Sequence, residues 1–302
     1  MKNIKLIFNP SSGKNKKSPV QLTDILTQLQ SSGFTAEPFL IEPDSDLSQI
    51  VRESLSKGID LFLVCGGDGT VSSAVRALYG TNSTIGIIPA GTQNNIAFSL
   101  GIPLDIPSAV SVLSAGLRTR VDVGMVTCGG IRTPFLEVCS IGLLSSLFSS
   151  ADQIQHGNLV PISDFLLKFV KNKPCEFEIR LDDRFQITGD GYALVAANMP
   201  YIFHRYRVGE ERSYQDGFLN LYLVAEMSKL DLVGCAVKSN PTEDPRIHRF
   251  RAKRIEIKTR PEMPVMADGI DLGKGPALVE MKNASVHILT ALPDDPKRRP
   301  VL

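Results

Sequence analysis

Leu61-Phe62-Leu63-Val64-Cys65 runs without a break into Gly66-Gly67-Asp68-Gly69-Thr70, and apolar residues at Val71, Ala74, Val75 and Leu78 follow at helical spacing. An apolar run of strand length, a glycine-rich turn and a helix in direct succession allow few folds. The turn must lie at the carboxyl end of a buried strand. Glycines let backbone N–H groups face a ligand without side-chain obstruction, and the following helix adds the positive end of its dipole. That combination is a phosphate cradle. Asp68 is a poor direct partner for phosphate, so a cation between the two, as in a Mg²⁺-nucleotide, accounts for it. The bland readings are a tight strand-to-helix turn with no ligand and an Asp68 that only caps a helix.

The same alternation extends over residues 1–122. Residues 4–8 read as a strand ending in Asn9-Pro10-Ser11-Ser12-Gly13-Lys14, and residues 20–30 as a helix stopped by Gly33. Residues 39–41 form the core of a second strand, and Asp46 caps a helix that closes at Gly58. Residues 84–88 form a further strand, ending in Pro89-Ala90-Gly91-Thr92-Gln93-Asn94-Asn95. This pattern predicts a parallel sheet covered by helices on both faces, with ligands at the carboxyl ends of the strands. After Val121 short alternating runs take over, at 135–138, 176–181, 193–197, 219–224, 255–258 and 277–281. Turns are expected at Asp182-Asp183, Gly189-Asp190-Gly191, Asp216-Gly217 and Asp268-Gly269, with one helix over 163–171. The second region therefore reads as an antiparallel β-sandwich. The fold class is α/β plus all-β.

A chain of 302 residues has room for two domains, and a formal charge of +1 points to no polyelectrolyte partner. Five scattered cysteines without a CxxC pair read as reduced thiols of a cytoplasmic protein. No apolar run reaches the roughly 20 residues that span a bilayer, so any membrane work is expected at the surface.

With the loops side by side, the chain resembles the diacylglycerol-kinase-type lipid kinases, particularly the soluble bacterial members, over nearly its full length. The resemblance rests on Asn9-Pro10-Ser11-Ser12-Gly13, Gly66-Gly67-Asp68-Gly69-Thr70, Pro89-Ala90-Gly91-Thr92-Gln93-Asn94-Asn95-Ile96-Ala97 with Leu100-Gly101-Ile102-Pro103, Asp216-Gly217-Phe218-Leu219 and Ala267-Asp268-Gly269. It implies a Rossmann-like nucleotide domain over residues 1–122, completed by 290–302, and a β-sandwich over 123–289, with Mg-ATP in the cleft between them. It implies ATP contacts from Asn9, Pro10, Ser12, Gly13, Gly66, Gly67, Asp68, Gly69, Thr70, Thr92 and Asn94. It also implies a structural Mg²⁺ at Asp216, with the carbonyls of Ser213 and Phe218. The bland reading of Asp216 is a turn anchor. Asn95 stands where the family often has Asp, and Lys14, Lys16 and Lys17 read as a solvated basic loop.

The family's late motif is usually Asp-Gly-Glu, whose acidic end takes the proton from the lipid hydroxyl. Here Ile270 stands where that Glu belongs, and isoleucine cannot accept a proton. Three options remain: Asp268 as the base, Asp271, or a weakened enzyme. Asp271, shifted by one residue on an extended segment, points to the opposite face. Asp268 is therefore the catalytic candidate alongside Asp68.

His156, His204, His248 and His287 show no metal-ligand spacing and read as structural or surface residues. The basic run Arg246, Arg249, Arg251, Lys253, Arg254, Lys258 and Arg260 reads as the wet face of a strand, or else as a contact to anionic membrane. It lacks the interleaved aromatics of a nucleic-acid site. Residues 143–148 and 165–170 either line an acceptor path or are plain core. The expected function is ATP-dependent phosphorylation of a hydroxyl on diacylglycerol or a related lipid, by a cytoplasmic protein in peripheral contact with the inner membrane face. The alternatives are a nucleotide- or lipid-binding protein with little catalysis and, less well matched, an NAD kinase.

Overall fold

The computed structural model describes residues 2–13, 19–143, 145, 173–202, 206–225, 244 and 246–292. The helix expected over 163–171, the apolar segment 165–170 and most of 143–148 lie outside the described residues. So do Lys14, Lys16, Lys17, His156, His204 and Cys235. The chain forms two compact units, one from residues up to Val121 with the segment from Ala284, the other from Asp122–Asn283.

The first unit contains β1 (Lys2–Phe8), α1 (Pro19–Ser31), β2 (Phe34–Leu40), α2 (Leu47–Ser56), β3 (Leu61–Gly66), α3 (Asp68–Leu78), β4 (Thr84–Pro89), α4 (Asn95–Ser99) and α5 (Ile106–Ala115). The four strands are parallel, in the order β2-β1-β3-β4. The chain winds outward from β1 to β2, then crosses back to β3. With right-handed crossovers this reversal puts α1 and α2 on opposite faces. Helix α1 accordingly packs with α5, and α2 with α3. Strand β3 is buried at every residue, which only a strand covered on both faces can be. Each of Phe62, Leu63 and Val64 contributes roughly 1.5–3 kcal/mol by leaving water. β2 starts earlier than the apolar core 39–41 suggests. It is an edge strand carrying Glu37 and Pro38, and edge strands tolerate residues that a central strand does not. Asp46 caps α2, its Oδ1 accepting from the amides of Ser48 and Gln49.

The second unit holds β5 (Leu117–Cys128, entering from the first), β6 (Ile131–Phe135), β7 (Val138–Gly142), β8 (Cys175–Leu181), β9 (Phe185–Ala197), β10 (Tyr201–Ile202), β11 (Tyr206–Arg207), β12 (Leu219–Ala225), β13 (Ile247–Ala252), β14 (Arg254–Arg260), β15 (Pro264–Ala267), β16 (Ile270–Lys274) and β17 (Ala277–Thr290). It is a β-sandwich. Its long strand β9 pairs with β8 through its first half and with β7 and β12 through its second. β17 leaves this unit and ends in the first, where His287 lies opposite Thr84 and Ile288 opposite Ile85, parallel to β4.

Two expectations change. Gly189-Asp190-Gly191 is not a turn but the interior of β9, and a Cβ on Gly191 would come within 2.9 Å of the Val224 carbonyl oxygen. The glycine marks where β9 changes partners, beside a register shift at Val224/Ala225. The run 135–138 is two strand ends, because a bend at Leu136 and Glu137 separates β6 from β7.

The core of this unit contains Cys128, Cys139 and Cys175. Burial pushes all three thiols above their ordinary value, Cys175 to about 11, and the Asp268 carboxylate adds to the effect at Cys139. Only the thiolate is nucleophilic. These three cysteines should therefore resist a thiol-specific reagent at neutral pH in the native protein and react on unfolding; rapid labelling of native Cys139 or Cys175 would contradict this packing.

Candidate nucleotide site

Strands β1, β3 and β4 are neighbours, so the loops at their carboxyl ends meet where the winding reverses, the usual position for a ligand crevice in such sheets. The meeting is backbone against backbone. A Cβ on Gly91 would sit 2.4 Å from the Cα of Gly67, and one on Gly13 would sit 2.8 Å from the Ala90 carbonyl oxygen. Gly13 also has a positive φ of 47°. Side chains at these positions would force the loops apart.

Polar groups lock the loops together. Asn9 Nδ2 donates to Thr70 Oγ1 at 2.8 Å, and Ser12 Oγ lies 3.4 Å from the same hydroxyl. The amide of Gly67 donates to Ser12 Oγ at 3.3 Å. Thr70, 7 % exposed, is thus a bracket between the first and second loops. In the third loop Asn94, at a left-handed φ of 54°, accepts from the Gly91 amide and donates to the Gly91 carbonyl. Thr92 is exposed beside it, as are Gly13 and Gly69, and Pro10 is half-buried.

Asp68 lies in the first turn of α3, and its Oδ1 accepts the Ile96 amide at 2.9 Å. The carboxylate therefore caps the first turn of α4. The anchored carboxylate, exposed glycine backbone and the N-terminus of α3 suit an anion accompanied by a hard cation.

The two later Asp-Gly motifs lie in the second unit. Asp216 follows a turn over Ser213–Gln215. Its Oδ1 accepts the Phe218 amide at 2.9 Å, and its Oδ2 pairs with Arg251 at 2.8 Å. Burial raises the Asp216 carboxyl above its ordinary value and outweighs the lowering by the Phe218 amide and Arg251. Asp268 and Gly269 form the β15–β16 hairpin turn, with φ of 42° and 80°. Asp268 Oδ2 accepts the Leu136 amide at 2.6 Å, and Oδ1 those of Glu137 and Val138 at 3.0 and 2.9 Å. Asp268 thus pins the bend between β6 and β7. Ile270 packs on the sandwich core, whereas Asp271 is exposed and accepts the Gly273 amide.

Residues 3–126 match the diacylglycerol kinase catalytic domain, and residues 151–290 match the YegS C-terminal NAD kinase beta sandwich-like domain. The first of these regions thus belongs to the diacylglycerol kinase catalytic domain family and the second is a YegS-type C-terminal domain. It is 26% identical to a diacylglycerol kinase of Staphylococcus saprophyticus, over 100% of this chain and 99% of that one. A diacylglycerol kinase of Staphylococcus epidermidis is 26% identical over 97% of this chain and 93% of its own. A solved structure of a diacylglycerol kinase from Bacillus anthracis has the same fold, with a TM-score of 0.74 at 22% identity, covering 99% of this chain and 98% of that one. The fold likeness extends to an NAD kinase from Archaeoglobus fulgidus solved with ATP, with a TM-score of 0.55 at 13% identity, covering 98% and 95% of the two chains.

The basic run is largely paired. Arg246 bonds Asp244, Arg251 bonds Asp216, Arg254 meets Asp183, Glu256 and Glu280, and Arg260 lies 3.9 Å from Glu176. Register extends the pattern, with Lys258 opposite Glu178 and Glu256 opposite Arg180. Asp244 is buried, whereas the exposed pairs contribute about 0–1 kcal/mol each; together the pairs cancel the charge of this face, which favours the wet-face reading. No helix among the described residues is long and apolar enough to cross a membrane, and no group of three or more His, Cys, Asp or Glu among them could hold a metal ion.

Three site residues carry no local sequence signal. Arg251 stands in a basic run, and nothing local links it to Asp216, 35 positions away. Asp122, 3 % exposed, accepts the Gly217 amide across 95 positions, and buried Asn198 donates to the carbonyls of Asp122 and Leu136. No short-range signal marks these contacts.

The loop packing has a direct consequence. Gly91→Ala should destabilise the first unit by about 1–3 kcal/mol, as overpacking does, and should weaken ATP binding, whereas Gly69→Ala, whose Cβ meets nothing within 4 Å, should do neither through sterics. Equal melting temperatures for Gly91→Ala and wild type would contradict the close approach.

Proposed function

We propose that the protein is an ATP-dependent lipid kinase acting on a hydroxyl of diacylglycerol or a related lipid. The observation that carries this reading is the meeting of three glycine loops at the N-terminus of α3, with the Asp68 carboxylate fixed among them by the Ile96 amide. The names of the full-length relatives supply the acceptor class.

Phosphoryl transfer asks little covalent chemistry of a protein; positioning and charge neutralisation dominate. The loops at Asn9–Gly13, Gly66–Thr70 and Gly91–Asn94 hold the triphosphate through backbone N–H groups. Asp68 is the carboxylate that would hold the Mg²⁺ of Mg-ATP, which supplies charge neutralisation when bound. The acceptor oxygen bonds to the γ-phosphorus as the bond to the β,γ-bridging oxygen breaks. ADP leaves, and the hydroxyl proton passes to a carboxylate, for which Asp268 is the proposed acceptor. The protein is proposed to meet its lipid at a membrane surface.

One observation favours a second reading, a nucleotide- or lipid-binding protein with little catalysis. Asp268 already accepts three amides, and position 270, turned to the core, carries no acid. An NAD kinase is the weaker alternative, since the likeness to that class is one of fold.

The deciding experiment offers ATP with diacylglycerol, phosphatidylglycerol, ceramide and sphingoid acceptors in mixed micelles, with NAD in parallel. A phosphorylated lipid is expected, and none with NAD. ATP binding without any product would establish the binding protein instead. Asp68→Ala should lower turnover on the order of a hundredfold or more, the scale seen when one charge-stabilising group is lost, with the fold intact. Wild-type turnover in that variant would refute the site. Asp268→Asn should lower kcat roughly 10²- to 10⁴-fold if the carboxylate takes the proton. A drop in melting temperature with kcat preserved would mark Asp268 as a structural clamp only.

A further inference from the structure

We infer that Arg251 is the resident cation of the Asp216 turn, standing where the family resemblance puts a divalent metal ion. Two of the three groups assigned to that ion, the Asp216 carboxylate and the Ser213 carbonyl, are committed to other partners here. Asp216 spends Oδ2 on the Arg251 guanidinium at 2.8 Å and Oδ1 on the Phe218 amide at 2.9 Å. The Ser213 carbonyl, the next assigned ligand, accepts the Asp216 amide at 3.3 Å. A hard divalent ion needs these oxygens turned on itself.

The fold delivers Arg251 to this place. Strand β13 pairs antiparallel with β12, with Asn220 opposite Arg251 and Leu219 opposite Ala252. Ala252 is fully buried in the core and Phe250 packs against it, so alternation turns Arg251 to the other face, beside the segment that leads into β12. The Phe218 ring completes the seat. Its centroid lies 4.7 Å from Arg251 Cζ and 4.9 Å from Lys253 Nζ, so the aromatic face holds two cations close to the turn. A divalent ion at Asp216 would meet both of them as like charges.

A positive charge is needed there. Asp122 Oδ2 accepts the Gly217 amide at 2.8 Å, which sets a second carboxylate on the residue after Asp216. Two acids at one turn, one of them buried, favour a fixed counter-charge, and a planar guanidinium stacked on an aromatic ring is a well-organised one. A side chain cannot be removed by a chelator or diluted away. The turn between Ser213 and Leu219 is therefore metal-independent in this chain, whatever the catalytic site requires.

The test uses the full chain without nucleotide and does not depend on kinase activity. Thermal unfolding is measured in EDTA and again in millimolar MgCl₂ or CaCl₂. The wild type should melt at the same temperature in all three. Arg251→Met should melt lower than wild type in EDTA and regain part of the loss with either ion, and the further change Asp216→Asn should abolish that gain. Arg251→Lys, which keeps a charge, should remain indifferent to metal and covers the case in which the Met variant fails to fold. A wild-type melting temperature that rises with Mg²⁺ or Ca²⁺, with the rise lost in Asp216→Asn, would overturn the proposal. So would an Arg251→Met variant as stable as wild type in EDTA, or an Arg251→Lys variant that gains stability from either ion.

Discussion

The first unit depends on main chain touching main chain at Gly13, Gly67 and Gly91. Strand order makes the contact possible, because β1, β3 and β4 lie side by side and their loops leave from the same end. The absence of Cβ atoms makes it close. The polar bracket of Asn9, Ser12 and Thr70 exists only at that spacing, and so does the reach of Asp68 to the Ile96 amide. The features that suit the site to a phosphorylated ligand follow from it: backbone amides in reach, a helix N-terminus, and one carboxylate placed for a cation.

The second unit uses its acids differently. Asp216 and Asp268 both precede a glycine with positive φ, and both carboxylates hold chain segments distant in sequence. Asp268 fixes the bend between β6 and β7, and Asp216 joins the entry of β12 to β13 through Arg251. A carboxylate committed to amides can still serve a reacting hydroxyl, but its first effect is on the fold. The proposed proton transfer to Asp268 therefore asks for a carboxylate already held by three amides, whereas the proposed nucleotide loops ask only for the backbone they present.

Much of this was legible from residues alone. The βα alternation of the first unit, the cap at Asp46 and the hairpin at Asp268-Gly269 are local patterns, governed by periodicity and turn stereochemistry. So was the opposite facing of Ile270 and Asp271 on β16. What escaped the sequence was non-local. Gly189-Asp190-Gly191 has turn composition, yet it lies inside a strand that needs glycine where β9 passes close to Val224. The break at Leu136 and Glu137 comes from a carboxylate about 130 positions away, and the Arg251 pairing joins residues 35 apart. Composition does not encode such partners, and a basic run reads alike whether its charges are free or paired.

Amide hydrogen exchange with and without nucleotide tests the central claim most directly. ATP with Mg²⁺ should slow exchange together in the three segments around Ser12-Gly13, Gly67–Thr70 and Gly91–Asn94, and NAD should leave them unchanged. Protection elsewhere in the chain with these three loops unaffected, or equal protection by NAD, would contradict the assignment of the loops as an ATP site.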